Sequence, residues 1–132
     1  MVLYGVSKSQ ANQVWYVPPG SGKSMVCLLV AVEWLKAHDS GNVTVLLPFG
    51  HLKHRCQAEM TDAIKSDCNE ARIRWLTFDD YAASGSDDWT DLLLIDEFRW
   101  MLDHSPQAAS RVLRQAKDSR AHVVGLCGLA NG

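Results

Sequence analysis

Two short segments of this 132-residue chain carry residue types that bind polyphosphates and metal ions. The first is Pro18-Pro19-Gly20-Ser21-Gly22-Lys23-Ser24. Glycines allow successive backbone N–H groups to converge on phosphate oxygens, and a neighbouring lysine reaches the β- and γ-phosphates of a nucleotide. A serine hydroxyl is an oxygen ligand that Mg²⁺ accepts beside phosphates and water. We therefore predict that Ser24 is a metal ligand and that the nucleotide is bound by Pro19, Gly20, Ser21, Gly22, Lys23 and Ser24.

This segment departs at one position from the pattern G-x-x-x-x-G-K-[ST], which is typical of phosphate-binding loops. Val17 occupies the place of the first glycine. The alternative interpretation is a glycine-rich turn that happens to contain a lysine. The flanking residues favour the phosphate-binding loop, because residues 14–17 predict a strand and residues 24–37 predict a helix, which is the context the motif requires.

The second segment is a run of four aliphatic residues, 92–95, followed by Asp96 and Glu97. It places two carboxylates where a buried strand ends. We predict that Asp96 holds the metal through water and that Glu97 polarises the water that attacks the γ-phosphate, so the predicted catalytic residues are Lys23, Asp96 and Glu97. The alternative is that Asp96 caps a helix with Glu97 in its first turn, a contribution of about 1 kcal/mol.

Strands and helices alternate along the chain, and they must position these two segments. The predicted strands are 14–17, 43–47, 72–78, 92–95 and 123–127, and the predicted helices are 24–37, 51–66 and 106–117. Such alternation is typical of a three-layer α/β fold with a mostly parallel five-stranded sheet. Residues 1–132 are enough for one domain, and ligands of such sheets bind at the carboxyl ends of the strands.

Composition indicates an ordinary folded domain, with 47% hydrophobic residues, 21% charged residues and a formal net charge of −2. This charge argues against a strongly basic protein that wraps nucleic acid, but it leaves a local basic patch possible. The apolar stretch 25–35 is interrupted by Glu33 and is too short to span a membrane. No secretion signal opens the chain, and four cysteines without a C-x-x-C pair are expected to be free thiols. We expect a cytoplasmic protein that does not contact membranes.

With both segments in place, the chain resembles the first RecA-like domain of superfamily 1 and 2 helicases, especially those of positive-strand RNA viruses. Nearly the whole chain takes part in the resemblance. Residues 17–24 look like motif I, 43–50 like motif Ia and 92–97 like motif II. Residues 123–130 occupy the place of motif III, although Gly128-Leu129-Ala130 matches neither the Ser-Ala-Thr form nor the Gly-Asp-Pro-x-Gln form.

The resemblance implies a RecA-like P-loop NTPase fold, the cofactors ATP and Mg²⁺, and single-stranded RNA or DNA as a partner. Contact with nucleic acid is expected from Pro48, Phe49 and Gly50 of motif Ia and from Thr77, which sits where motif Ib has a threonine. The family completes its site with arginines from a second RecA-like domain, or here from a partner subunit. The chain alone is therefore expected to be a weak NTPase. Surface left uncovered without that domain would favour self-association. A viral protein would work in the host cytoplasm.

The function predicted on these grounds is the ATP-binding domain of an RNA or DNA helicase, which hydrolyses NTP to drive translocation or unwinding. Two alternatives remain: another P-loop enzyme, such as a packaging-type ATPase or a small nucleotide kinase, and a binding module without turnover. Trp34 and Trp75 fit core positions. Trp89 and Trp100 flank the segment of Asp96 in sequence, where base stacking or core packing could explain them.

Overall fold

The computed structural model describes residues 13–17, 23–38, 40–48, 50, 54, 58, 70–84 and 89–128. In these ranges the strands are β1 (Gln13–Val17), β2 (Val43–Leu47), β3 (Ile73–Thr77), β4 (Leu92–Ile95) and β5 (His122–Gly128). The α-helices are α1 (Lys23–Ala37), α2 (Phe78–Ala83), α3 (Phe98–His104) and α4 (Pro106–Asp118). None of these helices is long and apolar enough to cross a lipid bilayer.

The five strands form one sheet in the order β1-β5-β4-β2-β3, and every pair in it is parallel. This confirms the predicted parallel five-stranded sheet. The bounds of β2 and β4 agree with the prediction at both ends, because an uninterrupted aliphatic run suits a strand that is covered on both faces. In this order β5, the last of the described strands, lies between β1 and β4.

Helices cover both faces of the sheet, so the fold has the predicted three layers. Along β4, Leu92 and Leu94 point to the side of α1, whereas Leu93 and Ile95 point to the side of α2, α3 and α4. This alternation follows from the period of two in a strand. All four side chains are fully buried, and each such burial stabilises the fold by about 1.5–3 kcal/mol.

Two short helices, α2 and α3, were not expected from the sequence, and β3 is shorter than predicted. The strand predicted over 72–78 ends at Thr77, because the Thr77 hydroxyl accepts a hydrogen bond from the Asp80 N–H (3.1 Å) and so caps α2. At the other end, Arg72 lies in a 3₁₀ turn. Its guanidinium donates to the carbonyl oxygens of Gly41 and His38 beyond the end of α1.

The longer helices agree with the prediction in the residues described. On α1 the buried residues are Val30, Ala31, Val32, Trp34 and Leu35, whereas Leu29 is 44% exposed. α4 begins at Pro106, a residue suited to the first turn, and buries Val112 and Ala116. Of the helix predicted over 51–66, only positions 54 and 58 are described, and both are helical. Trp34 and Trp75 lie in the core as predicted.

Candidate functional site

All five strands end at the same edge of the sheet because they are parallel. This carboxyl edge is therefore where segments distant in the chain meet. β1 ends at Val17 before the glycine-rich segment, β2 at Leu47 before Pro48, and β4 at Ile95 before Asp96. The structure thus brings the end of β1 and the segment of Asp96 to one edge, as the sequence predicted.

The glycine-rich segment lies between β1 and α1. Residues 18–22 are outside the described part of the chain, and so are the predicted ligands Pro19, Gly20, Ser21 and Gly22. Lys23 and Ser24 are the first two residues of α1, and no acidic residue lies in its first turn. The first turn of α1 itself therefore carries no negative charge to offset the partial positive charge of the helix start, which favours binding of an anion there.

Val17, which holds the place of the first motif glycine, is the last residue of β1 and pairs with Gly128 of β5. A β-branched residue suits that extended backbone. β1 ends at Val17, and α1 begins at Lys23. In the chain the glycine-rich residues therefore stand between a strand and a helix, which is the context that a phosphate-binding loop requires.

Asp96 stands two strands away from β1, because β5 lies between β1 and β4. Neighbouring strands are about 4.8 Å apart, so the ends of β1 and β4 are separated by roughly 10 Å. A metal ion held through a water occupies several ångströms of such a gap, since each metal–oxygen contact is about 2 Å long. The strand order therefore leaves a gap of this width between the end of β1 and Asp96.

The Asp96 side chain is almost completely buried, with 2% of its surface exposed. Its Oδ1 accepts a hydrogen bond from the Glu97 N–H (3.0 Å), and its own N–H donates to the Leu46 carbonyl (3.0 Å), which extends the β4–β2 ladder. Burying a carboxylate is costly unless it is hydrogen-bonded or binds a cation. Hard oxygen donors of this kind fit Mg²⁺, so the residue present at this position suits the predicted metal.

Glu97 has a left-handed backbone, with φ 53° and ψ 46°, and is half-buried. A non-glycine residue in this conformation costs on the order of 1–3 kcal/mol, and such residues cluster at functional sites. Glu97 is also the residue that precedes α3, and no side-chain hydrogen bond caps this helix start in the described structure. The N-cap residue of α3 is thus Glu97 and not Asp96, so the alternative that places Glu97 in the first turn of the helix is wrong.

The described residues predicted to contact nucleic acid lie at the β2–β3 side of the same edge. Leu47 pairs with Thr77 in the sheet, so Pro48 follows β2 beside the end of β3. Pro48 and Thr77 are half-buried and Gly50 is exposed, while Phe49 lies outside the described part of the chain. The end of β1 and the predicted nucleic-acid residues thus lie at the same edge of the sheet, with the ends of β5 and β4 between them.

The two tryptophans that flank Asp96 in sequence lie in different places. The Trp89 carbonyl accepts a hydrogen bond from Asn42, just before β2, so Trp89 is at the amino edge, away from the candidate site. There the Arg74 guanidinium lies 4.6 Å from the centroid of its ring. Trp100 is on α3, stacked on His104 with 4.8 Å between ring centroids. Only Trp100 therefore belongs to an element that starts at the site.

Two residues of the site were missed from the sequence, Phe98 and Gly125. Phe98 begins α3 directly after Glu97 and packs on Gly125 of β5. An isolated glycine within a strand pattern is a signal of close approach by another group, and it was the one available clue to this contact.

Comparison with known proteins finds no matching family model and no matching curated protein. Solved structures do match. T4 UvsW is similar over 92% of this chain at 15% sequence identity, with a TM-score of 0.67, and the match covers 27% of that chain. A mutant of the Thermus phage large terminase ATPase domain is similar over 91% of this chain at 11% identity, with a TM-score of 0.60, and the match covers 61% of that domain. The chain therefore has the α/β fold of RecA-like P-loop ATPases.

Proposed function

We propose that this chain is the NTP-binding domain of a helicase-type motor that acts on single-stranded RNA or DNA. One observation carries the proposal: the buried Asp96 and the left-handed Glu97 lie at the carboxyl edge two strands from β1, and the sequence Gly-Ser-Gly-Lys-Ser follows β1 and runs into α1. The RecA-like P-loop fold supports it. Hydrolysis in that fold needs a phosphate-binding helix start, a metal-holding carboxylate and a group that orients water, and our candidates for these roles are the start of α1, Asp96 and Glu97.

In the proposed reaction, the backbone amides of residues 19–22 and Lys23 bind the phosphates of ATP at the start of α1. Ser24 and Asp96 would hold Mg²⁺, which when bound neutralises the negative charge of the phosphate oxygens. Glu97 accepts a hydrogen bond from the attacking water and so orients it in line with the bond to be broken. The hydrogen bond from the Glu97 N–H to Asp96 Oδ1 ties the two carboxylate residues together.

The proposal is tested by nucleotide binding and phosphate release, measured with Mg-ATP and with or without single-stranded RNA or DNA. We expect Lys23→Ala to weaken binding and Glu97→Gln to preserve binding but abolish most turnover, a loss of about 100-fold or more. Lys36→Ala and Glu33→Gln are matched controls, because both residues are exposed on α1 beyond its first turn. Absence of nucleotide binding by the unmodified chain would refute the proposal.

A packaging-type ATPase is the second candidate, favoured by the similarity to the terminase ATPase domain. Double-stranded DNA separates the two candidates. A helicase-type domain is expected to respond to single strands, and a packaging-type domain to the duplex. Binding of Mg-ATP without turnover under any condition would indicate a binding module or a half-site that needs a second RecA-like domain or a partner subunit.

A further inference from the structure

The turn that carries Asp96 and Glu97 is held from two sides by different strands. On one side, the Asp96 N–H donates to the Leu46 carbonyl at the end of β2. On the other side, the Glu97 carbonyl accepts the first backbone hydrogen bond of α3, from the Met101 N–H (3.0 Å), and α3 rests on β5 through Phe98. The backbone conformation of Glu97 is therefore linked to the position of Phe98.

The contact between Phe98 and β5 requires a residue without a Cβ atom at position 125. A Cβ added to Gly125 would lie 2.7 Å from Phe98 Cγ and 3.0 Å from Phe98 Cβ and Cδ1. These atoms are at the root of the side chain, so a rotation of the ring cannot relieve the overlap. Phe98 would have to change its χ1 torsion, or the start of α3 would have to move, and Glu97 is the residue next to that start.

Gly125 is also close to the turn through the sheet, because it pairs with Ile95, the residue before Asp96. The same strand pairs with β1, where Val17 lies opposite Gly128. β5 thus contacts the turn through a strand pairing and through Phe98, and it contacts the strand that leads to the glycine-rich segment.

We propose that Gly125 and Phe98 are positioning residues that set the left-handed backbone of Glu97, and through it the place of the Glu97 carboxylate. This inference rests on the proposed function for the role of Glu97 in turnover. Neither residue contacts the nucleotide in this proposal. Their effect passes only through the start of α3.

The test is Gly125→Ala, compared with Gly41→Ala. Gly41 is a matched control at the opposite edge, where an added Cβ would lie 2.6 Å from the Trp34 ring and where φ is 115°. We expect Gly125→Ala to lower kcat by roughly 10- to 100-fold while KM for ATP and nucleotide binding change less than about twofold, because a small misplacement of a reacting group acts on the chemical step. Gly41→Ala should lower the melting temperature without changing kcat of the folded protein.

A double variant separates positioning from general destabilisation. Phe98→Ala removes the ring atoms that a new Cβ would meet, so Gly125→Ala combined with Phe98→Ala should retain more activity than the product of the two single effects predicts. Equal losses of kcat in Gly125→Ala and Gly41→Ala would overturn the inference. Independent effects of Gly125→Ala and Phe98→Ala on kcat would overturn it as well.

A measurement that does not depend on turnover separates the proposed function from the positioning role of Gly125 and Phe98. Amide NMR shifts of Asp96 and Glu97 should move in Gly125→Ala and stay unchanged in Gly41→Ala. If the unmodified chain binds no nucleotide while these shifts still move, the proposed function fails and the positioning holds. If Glu97→Gln abolishes turnover but Gly125→Ala leaves both kcat and these shifts unchanged, the positioning fails and the proposed function stands.

Discussion

At the scale of single residues, the backbone of Glu97 is the unusual feature of this site. Its φ of 53° is one of two positive φ values among the described non-glycine residues, the other being 59° at Arg120 in the turn before β5. Left-handed backbone is disfavoured for residues with a Cβ, and glycine adopts it without that penalty. The surrounding structure must therefore hold Glu97 in this conformation, and its presence at a predicted catalytic position is consistent with a functional reason.

Glycine is usually more destabilising than alanine, and the left-handed backbone predicts the opposite order at position 97. Glu97→Gly should be more stable than Glu97→Ala by about 1 kcal/mol, because both lack the side chain and only glycine relieves the left-handed backbone. Both should lose turnover. Urea unfolding measures the difference, and the same pair at Arg120 is a control away from the site. A Glu97→Ala variant at least as stable as Glu97→Gly would contradict the left-handed backbone.

At the scale of elements, α3 links the site to the core on one face of the sheet. It is a short helix, so it needs tertiary packing to persist. Met101 supplies that packing, since it is fully buried among residues of β4, β5, α2 and α4. Its neighbour Leu102 is 41% exposed.

These neighbours give a matched pair of substitutions. Met101→Ala should lower the free energy of unfolding by about 2–5 kcal/mol through the cavity it leaves, whereas Leu102→Ala should change it by no more than about 0.5 kcal/mol. Chemical denaturation monitored by circular dichroism measures both. Similar losses in the two variants would mean that α3 does not pack on the sheet through Met101.

At the scale of the whole molecule, the order of the strands decides which segments meet. β5 separates β1 from β4, and this separation leaves a gap between the end of β1 and Asp96. In the described sheet β1 is an outer strand, and its Val14 is 43% exposed. An outer strand with an exposed apolar residue is a place where further chain or another molecule can pair.

Self-association, expected from the sequence, is therefore predicted to involve β1. Light scattering should show an apparent mass that rises with concentration, and Val14→Lys should reduce this rise because charge on an outer strand opposes edge pairing. Leu29→Lys is the control, since Leu29 is exposed to a similar degree on α1. A monomer at every concentration, or an equal response to both substitutions, would refute the role of β1.

The sequence by itself determined the features that are encoded locally. The aliphatic runs of β2 and β4 predicted the bounds of these strands, and the alternation of strands and helices predicted the layered parallel sheet. The Gly-Lys-Ser and Asp-Glu motifs indicated the candidate site. Short helices were missed because six or seven residues show too little periodicity. α2 depends on the cap at Thr77, and α3 on its packing against the sheet.

Only the tertiary structure decided the relations between distant residues. The place of β5 between β1 and β4, the contact of Phe98 with Gly125, and the position of Trp89 at the edge opposite Asp96 all join segments far apart in the chain. Such pairings leave no periodic signal in either partner. The left-handed backbone of Glu97 is of the same kind, because glutamate alone disfavours it and the packing of the neighbouring elements must impose it.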